Sequence, residues 1–450
     1  MKTKGTLIVL SLILLIAWGI AQEIKPAAAG RSVVGAAKVS WIKTYKAGGK
    51  VVDLRVDSSG NIYVTGTNDS DTPDYVTIKY NSYGKQLWAA RHDVAGGEEM
   101  PSALKVDRAG NVYVTGTSDG WNTLYDFLTI KYKPSGKREW VARLNGAESR
   151  SDFANDIAID NAGNVYVTGS SRFDATDYDI VTVKYSSSGK YQWGSRHIGP
   201  GILPNWKDDV GRFIETDPAG NIFVTGTSES SSRDIVTIKY DASGQVLWDA
   251  RYDGPDHMND EPSGLAVDPE GNVYVAGNSE MSDSGEDIIL IKYSASGQQK
   301  WSKSYSSPGD YPEDAQDIFV DKGGHAYVTG STNVSGTNKF ITLKYAPTGE
   351  REWAAKFGYG YGGGAYSVDV DSSGNVYVSG DVHSPKSSYD IVTVKYNAKG
   401  KIVWSAVYSS VSEHSFDNGR AVALDPSGAV IVAGDSMDAG WVIIKYIQKG

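Results

Sequence analysis

One short phrase dominates this chain. Gly60-Asn61-Ile62-Tyr63-Val64-Thr65-Gly66 returns almost unchanged from Gly110, Gly163, Gly220 and Gly271, and in looser form from Gly324, Gly374 and Gly428. Each copy follows an Asp three residues earlier and leads into a β-branched run such as Asp234-Ile235-Val236-Thr237-Ile238-Lys239-Tyr240. A Gly stands four residues after that Tyr and a Trp four residues later, giving a period of roughly 50 to 57 residues. A unit of that size cannot bury its apolar face alone, so the chain must stack copies of one supersecondary element. With 51 Gly, 28 Tyr and 12 Trp among 450 residues, the stacked element is turn-rich and all-β.

Each unit reads as four strands: A ending at the turn Asp, B carrying Tyr-Val-Thr-Gly, C ending in Lys-Tyr, and D around the Trp. In the A–B turn, Asp-x-x-Gly-Asn caps through its carboxylate while Gly accepts positive φ. Eight Trp occupy the D position, namely Trp41, Trp88, Trp140, Trp193, Trp248, Trp301, Trp353 and Trp404. The last copy stops at Tyr446 without its Trp strand, whereas an orphan Trp strand, Val39 to Tyr45, precedes the first. The expected fold is an all-β, eight-bladed β-propeller with four-stranded antiparallel blades. Its ring closes by the N-terminal strand joining the last blade, which leaves no edge unpaired between first and last blades.

The repeat resembles that of the bacterial seven-bladed β-propeller (SBBP) repeat proteins, which carry a similar Asp-x-x-Gly-Asn-x-Tyr-Val-Thr-Gly signature with a downstream Tyr and Trp. The resemblance spans about residues 38 to 450. It departs from the family's nominal seven units in having eight. It implies an exported or surface propeller and names no reaction.

Lys2 and Lys4, an apolar run from Leu7 to Ala17, and Gly19 and Ala21 before Gln22 have the anatomy of a secretory signal. The expected organisation is a signal over 1–21, a linker over 22–37 and one propeller domain over 38–450. The protein is then periplasmic, cell-surface or secreted, with no membrane span in the mature chain. Zero Cys excludes disulfides, thiol nucleophiles and Cys-ligated metals. A formal charge of -10 argues against nucleic acid as a partner.

Within the repeat, His92 and His197 fall four residues after a Trp, where other copies have Tyr45, Tyr252, Tyr305 or Tyr408, so they read as substituted core aromatics. An acidic residue stands eight positions before the turn Asp in six units: Glu99, Asp152, Asp209, Asp260, Glu313 and Asp417, with Gly49 and Gly363 in the other two. These residues read either as an acidic collar at one channel mouth or as caps, each on its own loop. No cofactor is expected; Ca2+ is the one cation the acidic positions leave open.

The B–C and D–A loops emerge on one face and differ from unit to unit. Trp121, Tyr125, Trp206, Tyr311, Tyr359 and Tyr361 lie in them, and aromatic residues on variable loops over a rigid scaffold suit recognition. The leading expectation is a monomeric, non-enzymatic binding or scaffold module for a protein or glycan partner. Two enzyme alternatives stay open. A polysaccharide lyase or hydrolase would use carboxylates at the channel mouth. A quinoprotein-like enzyme is suggested by the segment from Lys239 to Trp248, which resembles the tryptophan-docking segment of eight-bladed quinoprotein dehydrogenases, although Lys239 replaces a small residue there and the adjacent Cys pair of many members is impossible.

Overall fold

A computed structural model describes residues 31–448, apart from 36, 47, 95–96, 121–123, 147–148, 174–176, 200–207, 283–284, 310, 385–387 and 411–414. The chain forms eight four-stranded antiparallel blades. Blades 1 to 7 comprise residues 48–92, 99–144, 152–197, 210–252, 260–305, 313–357 and 362–408, and blade 8 comprises 417–448 with an outer strand taken from 37–45. Strand A of every blade faces a central channel, and B, C and D follow outward.

The repeated turn is built as its residues require. Asp57 accepts the backbone N–H groups of Ser59 and Asn61, the Asn61 amide and the Tyr63 hydroxyl at 2.8–2.9 Å, while Gly60 takes φ +75°. Asp107, Asp160 and Asp371 hold their turns in the same way. Each carboxylate thus fixes the A–B turn and orients the strand B Tyr, which the sequence alone ties to it by spacing.

Trp joins each blade to the next. The indole N–H groups of Trp88, Trp140, Trp193, Trp248, Trp301 and Trp353 donate at 3.0–3.2 Å to a C–D turn carbonyl of the following blade. The turn Gly lies against the same ring: a Cβ on Gly189, at φ +81°, would stand 2.6 Å from Trp140. A side chain there would be strained twice, by backbone conformation and by contact. Lys131, Lys184 and Lys239 reach the same carbonyls as Trp140, Trp193 and Trp248 at 2.9–3.0 Å, so an ammonium and an indole share one acceptor at these three junctions.

The ring closes through the N-terminal strand. Ala37–Tyr45 pairs antiparallel with Gly440–Gln448, and Trp41 donates to Ser82 of blade 1 at 3.4 Å. Trp404 of blade 7 faces a blade whose strands C and D, 440–448 and 37–45, are not consecutive in the chain, and donates instead to the Gln448 side chain at 3.5 Å. One element was not expected. Arg31–Val34, assigned to a linker by sequence, pairs antiparallel with Ser405–Tyr408 as a fifth strand of blade 7. Its partner is an outer strand whose free backbone groups are a template for any extended segment within reach.

Candidate functional site

The six carboxylates placed in a collar do not line the channel. Each is 0–3% exposed and folded under its own D–A loop. There they accept backbone N–H groups of Val94, Gly146, Gly199, Gly254, Ser307 and Ser410 at 2.5–3.3 Å. The geometry is that of loop caps, and the open acidic mouth is corrected accordingly. A carboxylate at the start of strand A is one short loop away from unpaired N–H donors, and satisfying them outweighs facing solvent.

The channel, a cavity of about 600 Å³, holds charged residues that the sequence reading passed over. Asp53, Asp156 and Asp317 stand four residues before the turn Asp in blades 1, 3 and 6. Each accepts the backbone N–H of the next blade's strand A (Leu104, Ile214 and Val368) at 2.9 Å. Asp369 does the same for Leu424 at 2.8 Å. Lys105 crosses from blade 2 to Glu215 of blade 4 at 2.7 Å, and Arg55 pairs with Asp53 at 2.8 Å. These groups latch blades together. Their spacing from the turn Asp was visible, but the β-bulge that turns them toward the neighbouring blade was not.

Burial pushes Asp152, Asp156, Asp260 and Asp317 up to about 6 and Glu99 up to about 7. Such groups hold a proton in the folded state that the unfolded chain has already released. Their contribution to stability is full below the unfolded value near 4 and is lost as pH rises through 6 to 7. Asp57, Asp160, Asp321 and Asp371 behave oppositely. Burial raises them, but hydrogen bonds from Asn61, Asn164, His325 and Asn375 and their turn neighbours outweigh it and hold them below the usual value. Their contribution is lost below about 4. The melting temperature is therefore expected to peak between about pH 4 and 6 and to fall by about 5 °C or more by pH 8 in a calorimetric series. A flat profile from pH 5 to 8 would show that the buried carboxylates titrate normally.

Of the candidate recognition residues, Trp121 and Trp206 lie outside the described residues. Tyr125 donates to Glu98 at 3.0 Å and packs 5.6 Å from Phe153, which also meets Tyr178 at 5.8 Å. That row fills the top of the junction between blades 2 and 3. Tyr359 is half-buried, edge-on to Phe357 at 6.3 Å, and is a core contact rather than a free ring. Tyr311 is 36% exposed and Tyr361 69% exposed.

Tyr361 belongs to a larger arrangement. It lies 5.5 Å from His383, which lies 5.1 Å from Tyr389, which stacks on Phe416 at 5.6 Å. This aromatic row runs across the long-loop face of blade 7 to blade 8. Beside it a cleft of about 530 Å³ opens between blades 6 and 7, lined by Asp314, Asn333, Asn338, Tyr361, Tyr366, Asp381 and Tyr389 around Gly362, Gly363 and Gly364. Gln316 and Tyr366 line both this cleft and the channel, so the two spaces adjoin. Asp381 is pushed up to about 6 by burial, against the opposing pull of the Tyr366 hydroxyl 3.5 Å away and of the Arg420 charge. Asp314 accepts from the Asn278 and Gln316 amides. His383, Tyr389, Phe416 and Asp381 were missed because they occupy ordinary repeat positions. Only their departure from the residue types at those positions marks them.

Two acidic triads, Asp74/Asp93/Glu99 and Asp234/Asp253/Asp260, bring one carboxylate oxygen each within 4.8 Å of one another. Arg91 already bridges Asp74 and Asp93, and Arg251 sits on Asp234 at 2.6 Å, so guanidinium groups supply the positive charge there. In the quinoprotein-like segment, Lys239 and Trp248 both donate to the Ala295 carbonyl, at 2.9 and 3.1 Å. The likeness there is one of blade packing.

Residues 139–174 and 258–280 match the family model for the SBBP beta-propeller repeat. An uncharacterized WD repeat-containing protein of Acanthamoeba polyphaga mimivirus is 21% identical over 443 aligned residues, which cover 69% of this chain but only 31% of that relative. The chain thus spans about a third of that relative's length. Among solved structures, a quinohemoprotein alcohol dehydrogenase from Pseudomonas putida superposes with a TM-score of 0.56 at 10% identity, covering 92% of this chain and 76% of that one. Sqt1 from Chaetomium thermophilum, bound to the N-terminus of ribosomal protein L10, gives 0.54 at 11% identity, covering 88% and 96%. Identities this low establish the fold alone, and an oxidoreductase and a peptide binder share it equally. Repeat signature, family match and ring agree: the chain is an eight-bladed β-propeller whose repeats are similar to the SBBP beta-propeller repeat.

Proposed function

We propose that this protein is an exported, non-enzymatic binding or scaffold module that offers its long-loop face to a protein or glycan partner. The observation that carries the reading is the cleft between blades 6 and 7 with its aromatic row, placed on the face where the repeats differ most. Packing repeated from blade to blade explains the other face and the channel, whereas it gives no reason for exposed Tyr361 and Phe416. Export rests on Lys2, Lys4 and the apolar run to Ala17. Sqt1, with its bound peptide, supports the use of such a ring as a docking platform.

The test is a glycan array and a protein pull-down with the purified chain, repeated with Tyr361→Ala/Phe416→Ala and with Trp121→Ala/Trp206→Ala. A partner bound at least tenfold more weakly by one double variant, at an unchanged melting temperature, is expected. A partner bound equally by both variants would move recognition off this face. Asp314 and Asp381 line one cleft, which favours glycan cleavage as the second reading. Recovery of shortened oligosaccharide after incubation, abolished in Asp381→Asn, would establish that reading instead.

A further inference from the structure

The cleft between blades 6 and 7 lies where one blade lacks the side chain that the other seven carry at a repeated position. The residue seven before the turn Asp is Lys50, Met100, Phe153, Val210, Glu261, Asp314, Gly364 and Asn418 in blades 1 to 8, so only blade 7 has no side chain there. In blade 3 that residue, Phe153, packs against both Tyr125 and Tyr178, at 5.6 and 5.8 Å. The residues at the corresponding strand C positions around Gly364 are Asn338 of blade 6 and Tyr389 of blade 7, both seven before the closing Tyr. Both line the cleft, and so does Gly364 itself. A Cβ on Gly364 would make only ordinary contacts, 3.7 Å from Ser331 and Tyr366, and its φ is not positive. No backbone requirement makes this residue glycine; its effect is to leave a ring-sized slot empty.

We infer that this slot is a subsite for one uncharged pyranose ring of a glycan, set against Tyr389 and Tyr361 and hydrogen-bonded by Asp381, Asp314 and Asn338. The inference rests on the binding-module reading and names the partner's chemistry. The axial C–H face of a pyranose carries partial positive charge and suits the electron-rich face of a tyrosine ring, while its hydroxyls donate to carboxylates and amide oxygens.

An aromatic side chain from a protein partner would fit the slot by shape but not by chemistry. Asp381 replaces the Ser170 that faces Phe153 in blade 3, since Phe153 pairs with Ser170 and Gly364 with Asp381 across the A–B ladder. At 2% exposure its carboxylate would lose its remaining water to a phenyl ring without gaining a donor. The described lining holds no Lys, Arg or His, and Arg420, whose charge acts on Asp381, is engaged by Asp435 at 2.9 Å. Uronate or sulfated sugars therefore meet two carboxylates without a counter-charge. His383 and Phe416 extend the aromatic row beyond the slot, which suits a chain of sugars rather than a free monosaccharide.

The experiment fills the slot. Gly364→Phe gives blade 7 the side chain that Phe153 supplies in blade 3, and the purified chain and this variant are titrated with the best neutral hexose oligosaccharide from an array that also carries uronate and sulfated glycans and aromatic peptides. The expected result is at least a tenfold loss of neutral oligosaccharide affinity and a matching loss in Asp381→Asn, with a cooperative unfolding transition kept in both. Should Gly364→Phe melt early, Gly364→Asn, the residue type that blade 8 carries at Asn418, gives the same affinity readout. Neutral oligosaccharide binding that survives both substitutions would overturn the subsite, as would binding confined to anionic glycans or peptides. A protein partner lost in Tyr361→Ala/Phe416→Ala but indifferent to Gly364→Phe would overturn the sugar subsite and leave the binding-module reading standing. No partner sensitive to either would remove both.

Discussion

Deleting residues 38–47 is expected to abolish the cooperative unfolding transition, or to lower the melting temperature by at least about 15 °C. The segment carries nearly all of the strand Ala37–Tyr45, whose ladder to Gly440–Gln448 runs from Ala37 opposite Gln448 to Tyr45 opposite Trp441. Without it the outermost strand of blade 8 is left as a bare edge. The Trp41 link to Ser82 of blade 1 is lost, and so is the packing of Trp41 and Tyr45 on the core shared by blades 8 and 1. Truncating a single buried Trp costs about 3 to 5 kcal/mol, a large share of a typical domain's 5 to 15 kcal/mol, and here a whole strand leaves with it. A propeller is also quasi-circular, so opening one junction removes the constraint that holds the first and last blades together. Calorimetry of the truncated chain decides the matter. A thermogram matching the parent's would show that blades 8 and 1 hold together without the strap.

Trp441→Ala is expected to cost about 3 to 5 kcal/mol and to lower the melting temperature by about 5–15 °C without altering binding at the long-loop face. Trp441 is 0% exposed and takes the strand C position held by Tyr75, Phe127, Ile180, Ile235, Ile288, Phe340 and Ile391 in the other blades. The extra volume fits because blade 1 is glycine where it meets the indole. A Cβ on Gly48 would lie 2.2 Å from the ring and one on Gly66 2.7 Å. Truncation leaves a cavity that the rigid sheets cannot collapse to fill, so both transfer and cavity costs apply. Isotherms for the partner that match the parent's, with the early melt, would separate this structural Trp from the loop-face aromatics. A variant as stable as the parent would show that the junction repacks.

These two sites illustrate different degrees of legibility. The strap could be read directly, since a Trp strand without a unit at one end and a unit without its Trp strand at the other are complementary in one dimension. Trp441 could be placed on strand C by spacing, but not the reason blade 1 carries Gly48 against it. That reason is contact between blades 8 and 1, whose residues are nearly 400 positions apart in the chain.

The same division holds for the candidate site. Tyr361 was legible as an aromatic in a variable loop. Gly364 was not, because a glycine beside other glycines carries no signal until its position is compared with Phe153 in a blade where that ring is seen to pack against Tyr125 and Tyr178. The six loop-capping carboxylates were located by spacing, yet whether they opened on the channel or turned under their loops depended on where each D–A loop presents its N–H groups.

By itself the sequence determined the blade, its turns, the number of units and the way the ring closes, because each is set by residues within one period and repeats eight times. Only the tertiary structure decided which junctions are filled and which is open. That depends on side chains from neighbouring blades meeting across a shared space, and a local pattern cannot record the volume that its neighbours leave empty.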